Sequence, residues 1–137
     1  MTPILHYAPD DAALIVRLAL EELGAQLVRR DARAQDSAAY RAVNPAGLIP
    51  ALETPGGPIF ETAAILLWLA EETGKLAPAP GTPGRGDFLK WLFFVSNTLH
   101  AQLRMTFYPE NTPGRIGPRR RRFGHRYRDG TTPATGP

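Results

Sequence analysis

The stretch NPAGLIPALETPGGPIFETAAILLWLAEE, residues 44–72, restricts the fold more than any other part of the chain. Two prolines bracket an apolar run too short for a helix. LIPALE reads as a strand entered through Pro50, and TPGGP as a tight turn, because adjacent glycines readily supply positive φ. Ile59 and Phe60 then close a short hairpin. ETAAILLWLAEETG follows as a helix, with apolar positions at Ile65, Leu66, Trp68 and Leu69 and with Gly74 just past its end.

The residues before this unit supply its partners. ILHY (Ile4 to Tyr7) reads as a strand, and APDD as a turn from which Asp10 or Asp11 can cap the next element. AALIVRLALEELG is a predicted helix, with Leu14, Leu18 and Leu20 near the helical period and Gly24 at its end. AQLVRR is a second short strand, and residues 31–43 form a loop with a short or irregular helix. The order is βαβ, a loop, then ββα. Two parallel strands joined by a right-handed crossover, plus a hairpin, make a small mixed sheet covered by helices, an α/β fold.

The chain changes character after the hairpin and its helix. KLAPAPGTPGRG holds Pro78, Pro80, Pro83 and three glycines, which suits a linker and no helix or strand interior. Residues 87–108 then read as one long helix capped by Asp87. Phe88, Leu89, Trp91, Leu92, Phe93, Phe94 and Val95 cover most of its circumference, so it expects burial on several faces. Residues 111–137 have no period and are rich in Arg, Pro, Gly and Thr, the composition of disorder. The predicted divisions are 1–75, a linker at 76–86, the helical segment 87–110, and the tail.

Charge follows the same division. Residues 1–110 carry nine Lys and Arg against twelve Asp and Glu, a net −3; the tail carries seven Arg against Asp129, a net +6. The basic character therefore belongs to the tail. RRRRFGHRYR interleaves arginine with Phe123 and Tyr127, a pattern that can bind phosphate backbones without specificity. Translation of GC-rich DNA in a wrong frame accounts for the same composition and is the preferred reading, so no nucleic-acid partner is expected.

Composition excludes some chemistry. The chain has 137 residues and no cysteine, so disulfides, thiol catalysis and thiolate metal sites are out. Its three histidines are dispersed and make no metal site. His6 reads as structural and His100 as a surface residue, while His125 falls in the tail. No signal segment follows Met1 and no apolar run approaches the roughly 20 residues of a membrane span. The expected location is cytoplasmic.

Two polar features in residues 44–72 can carry binding. If the bond before Pro50 is cis, the backbone of Ile49 turns outward and can pair with an extended peptide ligand. A trans proline protecting an edge strand is the plainer alternative. Glu61 and Thr62 open a helix whose free N–H groups and positive dipole end suit a carboxylate, and Glu61 can take an ammonium of the same ligand. The plainer alternative is a Thr62 cap with Glu61 in a loop.

The matches Asn44-Pro45, Gly47, Ile49-Pro50, Glu61-Thr62 and AAILLWLAEE resemble the second half of the N-terminal domain of glutathione S-transferases. LHYAPDDAALIVRLALEELG is similar to the first strand and helix of bacterial members. The resemblance covers about residues 3–110. It implies a thioredoxin-like domain, a linker and the first helix of an all-helical second domain, incomplete here. It also implies glutathione as co-substrate, held by the Ile49 backbone before a cis Pro50 and by Glu61 and Thr62 at its γ-glutamyl end. Thr62 departs from the family's serine but keeps the hydroxyl.

The thiol activator is the residue least well matched. Where bacterial relatives carry Cys or Ser, this chain has Ala12 and Ala13, which donate no side-chain hydrogen bond, and Asp10 and Asp11 would oppose a thiolate. Tyr7, at the strand end that carries the catalytic tyrosine in other members, is the remaining candidate; a core tyrosine is its alternative. The resemblance implies a transferase acting on a small electrophile, and a homodimer. A non-catalytic glutathione- or protein-binding module and an inactive remnant stay open beside it.

Overall fold

A computed structural model describes residues 3–8, 12–25, 28–31 and 37–107. The chain divides into two units, 1–101 and 102–137. The expectation of a disordered tail, and the end of the long helix at Tyr108, lie outside the described residues.

The first unit contains strands β1 (Ile4–Tyr7), β2 (Val28–Asp31), β3 (Ala51–Thr54) and β4 (Gly57–Phe60). Its helices are α1 (Leu14–Glu22), α2 (Ala38–Val43), α3 (Thr62–Thr73) and α4 (Arg85–Phe94). The sheet order is β2-β1-β3-β4, with β1 parallel to β2 and antiparallel to β3, and β3 antiparallel to β4. This is the mixed sheet expected from βαβ followed by ββα, and it has the thioredoxin-like arrangement. β4 is the edge strand that carries Pro58, where a missing N–H costs no ladder bond. β3 lies inside the sheet, so Pro50 protects no edge.

Alternation along the strands divides the core between two faces. Leu5 and Tyr7 of β1 and Leu52 of β3 pack with Val16 and Leu20 of α1 and Ile65 and Leu69 of α3. On the other face, Ala51 packs with Tyr40 of α2, supported by Val43 and Ile49. Leu5, Leu20, Leu52 and Ile65 are essentially fully buried. Each such side chain contributes roughly 1.5–3 kcal/mol relative to exposure.

The helices depart from the sequence reading in three places. In α1, Val16 and Leu20 face inward while Leu14 and Leu18 are more than half exposed. The buried row starts at Ala13, one residue before the helix, and runs through Val16 and Leu20. Ala13 is also the N-cap, with no side-chain bond, in the place expected of Asp10 or Asp11. Third, α4 starts at Arg85, inside the segment read as linker, with Gly84 as N-cap in the left-handed region. Asp87 lies within its first turn and pairs with Lys90 instead of capping.

Arg85 ties the linker down. Its guanidinium donates to the Pro78 carbonyl at 3.1 Å, bonds Glu71 of α3 at 2.9 Å, and lies over the Phe88 ring. No residue of α4 is buried, and Trp91 is 58% exposed, so the burial expected of this helix is not met within the described residues. A π-helical stretch (Val95–His100) follows. In the second unit the described residues are helical, the continuation of α5 (Ala101–Phe107).

Candidate functional site

The β3–β4 hairpin brings the two polar features together. Its turn is Pro55-Gly56, held by the Thr54 hydroxyl, which donates to the Gly57 carbonyl at 2.7 Å and accepts from the Gly56 N–H at 3.2 Å. The ladder ends at the pair Ala51↔Phe60. The next residues outward are Pro50 on one side and Glu61 on the other. Residues 11 apart in the sequence thus meet at the open end of one hairpin, spaced as neighbouring strands are, about 5 Å apart.

Each side has a distinctive backbone. The Ile49-Pro50 peptide bond is cis. Ile49 precedes β3, so its N–H and C=O are not committed to a ladder pair. Glu61 has φ 72° and ψ 116°, a conformation that non-glycine residues seldom adopt. Such a conformation persists only where its surroundings hold it, and it occurs often at ligand sites. Glu61 is the N-cap of α3 without a side-chain cap bond, and its carbonyl accepts from the Ile65 N–H at 3.0 Å. The Thr62 cap considered from the sequence is therefore not made: Thr62 is the first helical residue. The N–H groups of Thr62, Ala63 and Ala64 have no intrahelical acceptor, and the dipole adds positive potential. Beside them the exposed Glu61 carboxylate provides an acceptor for a cation. The arrangement can take an α-amino acid group by both charges and an adjoining peptide along Ile49.

Tyr40, which sequence reasoning missed, and Asn44, which it named only as a motif match, support this end of the hairpin. The Tyr40 hydroxyl donates to the Leu48 carbonyl at 2.6 Å, and Asn44 Nδ2 donates to the same oxygen at 2.7 Å. Asn44 Oδ1 accepts from the Ala46 N–H at 3.0 Å, and Arg41 donates to the Pro45 carbonyl at 3.0 Å. The signal was Ser37, whose hydroxyl caps α2 by accepting from the Tyr40 N–H at 3.1 Å. It marks a helix within the alanine-rich segment and so places Tyr40 and Asn44 one turn apart.

Tyr7 is buried in the core face shared with α1 and α3, with the Arg17 guanidinium 5.0 Å from its ring centroid. Ala13 is fully buried, and Asp10 and Asp11 lie outside the described residues. His6 is buried on the opposite face and bonds Glu53, the structural role expected of it. His100 is exposed, and His125 lies outside the described residues.

An apolar cleft of about 260 Å³ is lined by Ile15, Leu18, Leu66, Leu76, Phe88 and Leu92. It is built from α1, α3 and α4 and contains none of Ile49, Glu61 or Thr62. Among the described residues no group of three or more His, Asp or Glu is placed to hold a metal ion. No described helix is long and apolar enough to cross a membrane.

Residues 12–72, from just before α1 to the last turn of α3, match the glutathione S-transferase N-terminal domain family. Solved structures agree. The ternary complex of BphK, a bacterial glutathione S-transferase, is 32% identical, with 80% of this chain and 58% of that one covered and a TM-score of 0.68. The chain belongs to the glutathione S-transferase family. A sphingomonad glutathione S-transferase complexed with glutathione is 30% identical, covering 80% and 59%, with a TM-score of 0.68. A glutathione transferase from Methylococcus capsulatus strain Bath is 32% identical, covering 81% and 57%, with a TM-score of 0.65. The chain thus spans less than two thirds of these relatives' length. The stretch matched to the glutathione S-transferase domain includes Ile49, Pro50, Glu61 and Thr62 and begins after Tyr7.

Proposed function

We propose that this protein binds glutathione at the open end of the β3–β4 hairpin. The γ-glutamyl carboxylate sits on the free N–H groups of α3 and the Thr62 hydroxyl, and its ammonium on Glu61. The cysteinyl residue pairs with the Ile49 backbone beside Pro50. The observation that carries this reading is the juxtaposition of Pro50 and Glu61 across the last ladder pair, with Glu61 held at φ 72°. The glutathione-bound sphingomonad relative supports it.

In the transferase form of this reading, the glutathione thiolate attacks a small electrophile. A sulfur–carbon bond forms as the leaving group departs with its electron pair, and the thiol proton goes to solvent. Tyr7 is the proposed activator. A cytoplasmic homodimer without metal accompanies it. The second reading is a glutathione-binding module without turnover. It is favoured by the burial of Tyr7 in the apolar core and by alanine at position 13.

Calorimetric titration of the full chain with glutathione tests the site. Glu61→Ala and Thr62→Ala each weaken binding about tenfold or more, as loss of a charge-assisted bond does. Unchanged affinity in both would overturn the assignment. Conjugation of a chromogenic electrophile by wild type and Tyr7→Phe separates the two readings: a rate that falls with the hydroxyl supports the transferase, and no wild-type rate supports the module.

A further inference from the structure

We propose that Tyr40 and Asn44 are positioning residues that aim the Ile49 N–H at the bound peptide; the inference rests on the site proposed above. The Leu48 carbonyl and the Ile49 N–H belong to one peptide unit. That unit is planar, and the Ile49-Pro50 bond is the cis bond of this loop, so the Leu48–Ile49 unit is trans. In a trans unit the carbonyl oxygen and the amide hydrogen point in opposite directions. Whatever fixes the oxygen therefore fixes the direction of the hydrogen.

Two donors converge on that oxygen, the Tyr40 hydroxyl at 2.6 Å and Asn44 Nδ2 at 2.7 Å. A carbonyl has two lone pairs, and both are engaged. One bond would leave the plane free to pivot about the donor direction; two from different residues do not. Both donors are themselves held. Tyr40 and Asn44 are buried, the Tyr40 ring lies 5.3 Å from His6 at 57°, and Asn44 is anchored through the Ala46 N–H at 3.0 Å. The Ile49 N–H is consequently turned away from α2 and left to meet a ligand, its direction set before binding, which lowers the entropy that binding must overcome.

The test uses the full chain with Tyr40→Phe, Asn44→Asp and the double variant. Asn44→Asp keeps the acceptor for Ala46 and replaces the donor to Leu48 by a carboxylate oxygen that repels the carbonyl. Nitrogen-15 relaxation reads the clamp without ligand. The Ile49 amide order parameter is expected near 0.85 in wild type and to fall toward about 0.6 in the double variant, while β3 keeps its values. Glutathione affinity falls about 5- to 50-fold in each single variant. Thr73→Val, which removes the 2.6 Å bond to the Leu69 carbonyl at the far end of α3, serves as a control and leaves affinity unchanged. An Ile49 order parameter that stays high in the double variant overturns the clamp. Equal affinity loss in Thr73→Val reduces it to general stability. A wild-type chain without glutathione affinity overturns the site itself, and the relaxation data then show separately whether the clamp exists.

Discussion

His6 Nε2 lies 2.6 Å from Glu53 Oε1 on the face of the sheet that α2 covers. His6 pairs with Ala51 in the β1–β3 ladder, and Glu53 pairs with Ile4, so the two side chains are diagonal neighbours on one face. The histidine is buried and the carboxylate is one-third exposed, so the bond satisfies the ring while Glu53 keeps contact with water. It also holds the imidazole against Tyr40, which connects the sheet to the loop before Pro50.

This arrangement predicts unequal losses. His6→Ala removes a buried ring and its bond and lowers stability by about 2–4 kcal/mol. Glu53→Gln retains a polar partner and costs no more than about 1.5 kcal/mol. Urea unfolding measures both, and equal losses would contradict the asymmetry in burial.

Gly47 and Gly56 offer a second comparison. Gly47 has φ +66°, and a Cβ there would approach the Arg41 guanidinium to 3.1 Å. Gly56 does not require positive φ, and its Cβ would meet Thr54 Oγ1 at an ordinary 3.7 Å. Gly47→Ala is expected to cost about 1–2 kcal/mol, and Gly56→Ala no more than about 0.5 kcal/mol. A cost at Gly56 as large as that at Gly47 in urea titrations would reject backbone conformation as the cause.

The backbone of Glu61 separates stability from function. Glycine at this position relieves the conformational restriction of a side chain at φ 72° but removes the carboxylate. Glu61→Gly is therefore expected to leave stability unchanged or raise it by up to about 1 kcal/mol. Glutathione affinity is expected to fall in the same variant. Paired unfolding and calorimetric measurements check this, and a stability loss above about 1 kcal/mol would assign the side chain a structural role.

Leucines on one helix face or another are not equivalent. Leu20→Ala and Leu52→Ala remove fully buried side chains and cost about 2–5 kcal/mol each. Leu14→Ala, at a position 52% exposed, costs less than about 1 kcal/mol. Similar costs at Leu14 and Leu20 would mean that α1 presents a different face to the sheet in solution.

The element order, the hairpin and the helix stops at Gly24 and Gly74 were legible in the sequence. They depend on local chemistry: proline and glycine at turns, positive φ after a helix, and apolar periodicity within it. Gly74 does adopt the left-handed cap, at φ 65°. The same local signals placed Ile49, Pro50, Glu61 and Thr62 as candidates, because each lies beside a strand or helix end. Periodicity could not choose among the many leucines of α1. An almost continuous apolar surface admits more than one inward face, and the sheet selected the row Ala13, Val16, Leu20.

Three relationships were decided only by tertiary structure. The register Ala51↔Phe60 made neighbours of Pro50 and Glu61. Strand alternation put His6 and Glu53, 47 residues apart, within hydrogen-bonding distance. The packing of α2 beneath the loop brought Tyr40 and Asn44 to one carbonyl, where spacing alone suggested only an irregular segment. Local propensity specifies the conformation of a few consecutive residues. Which side chains then share an acceptor depends on how the elements pack, and burial of the apolar faces sets that.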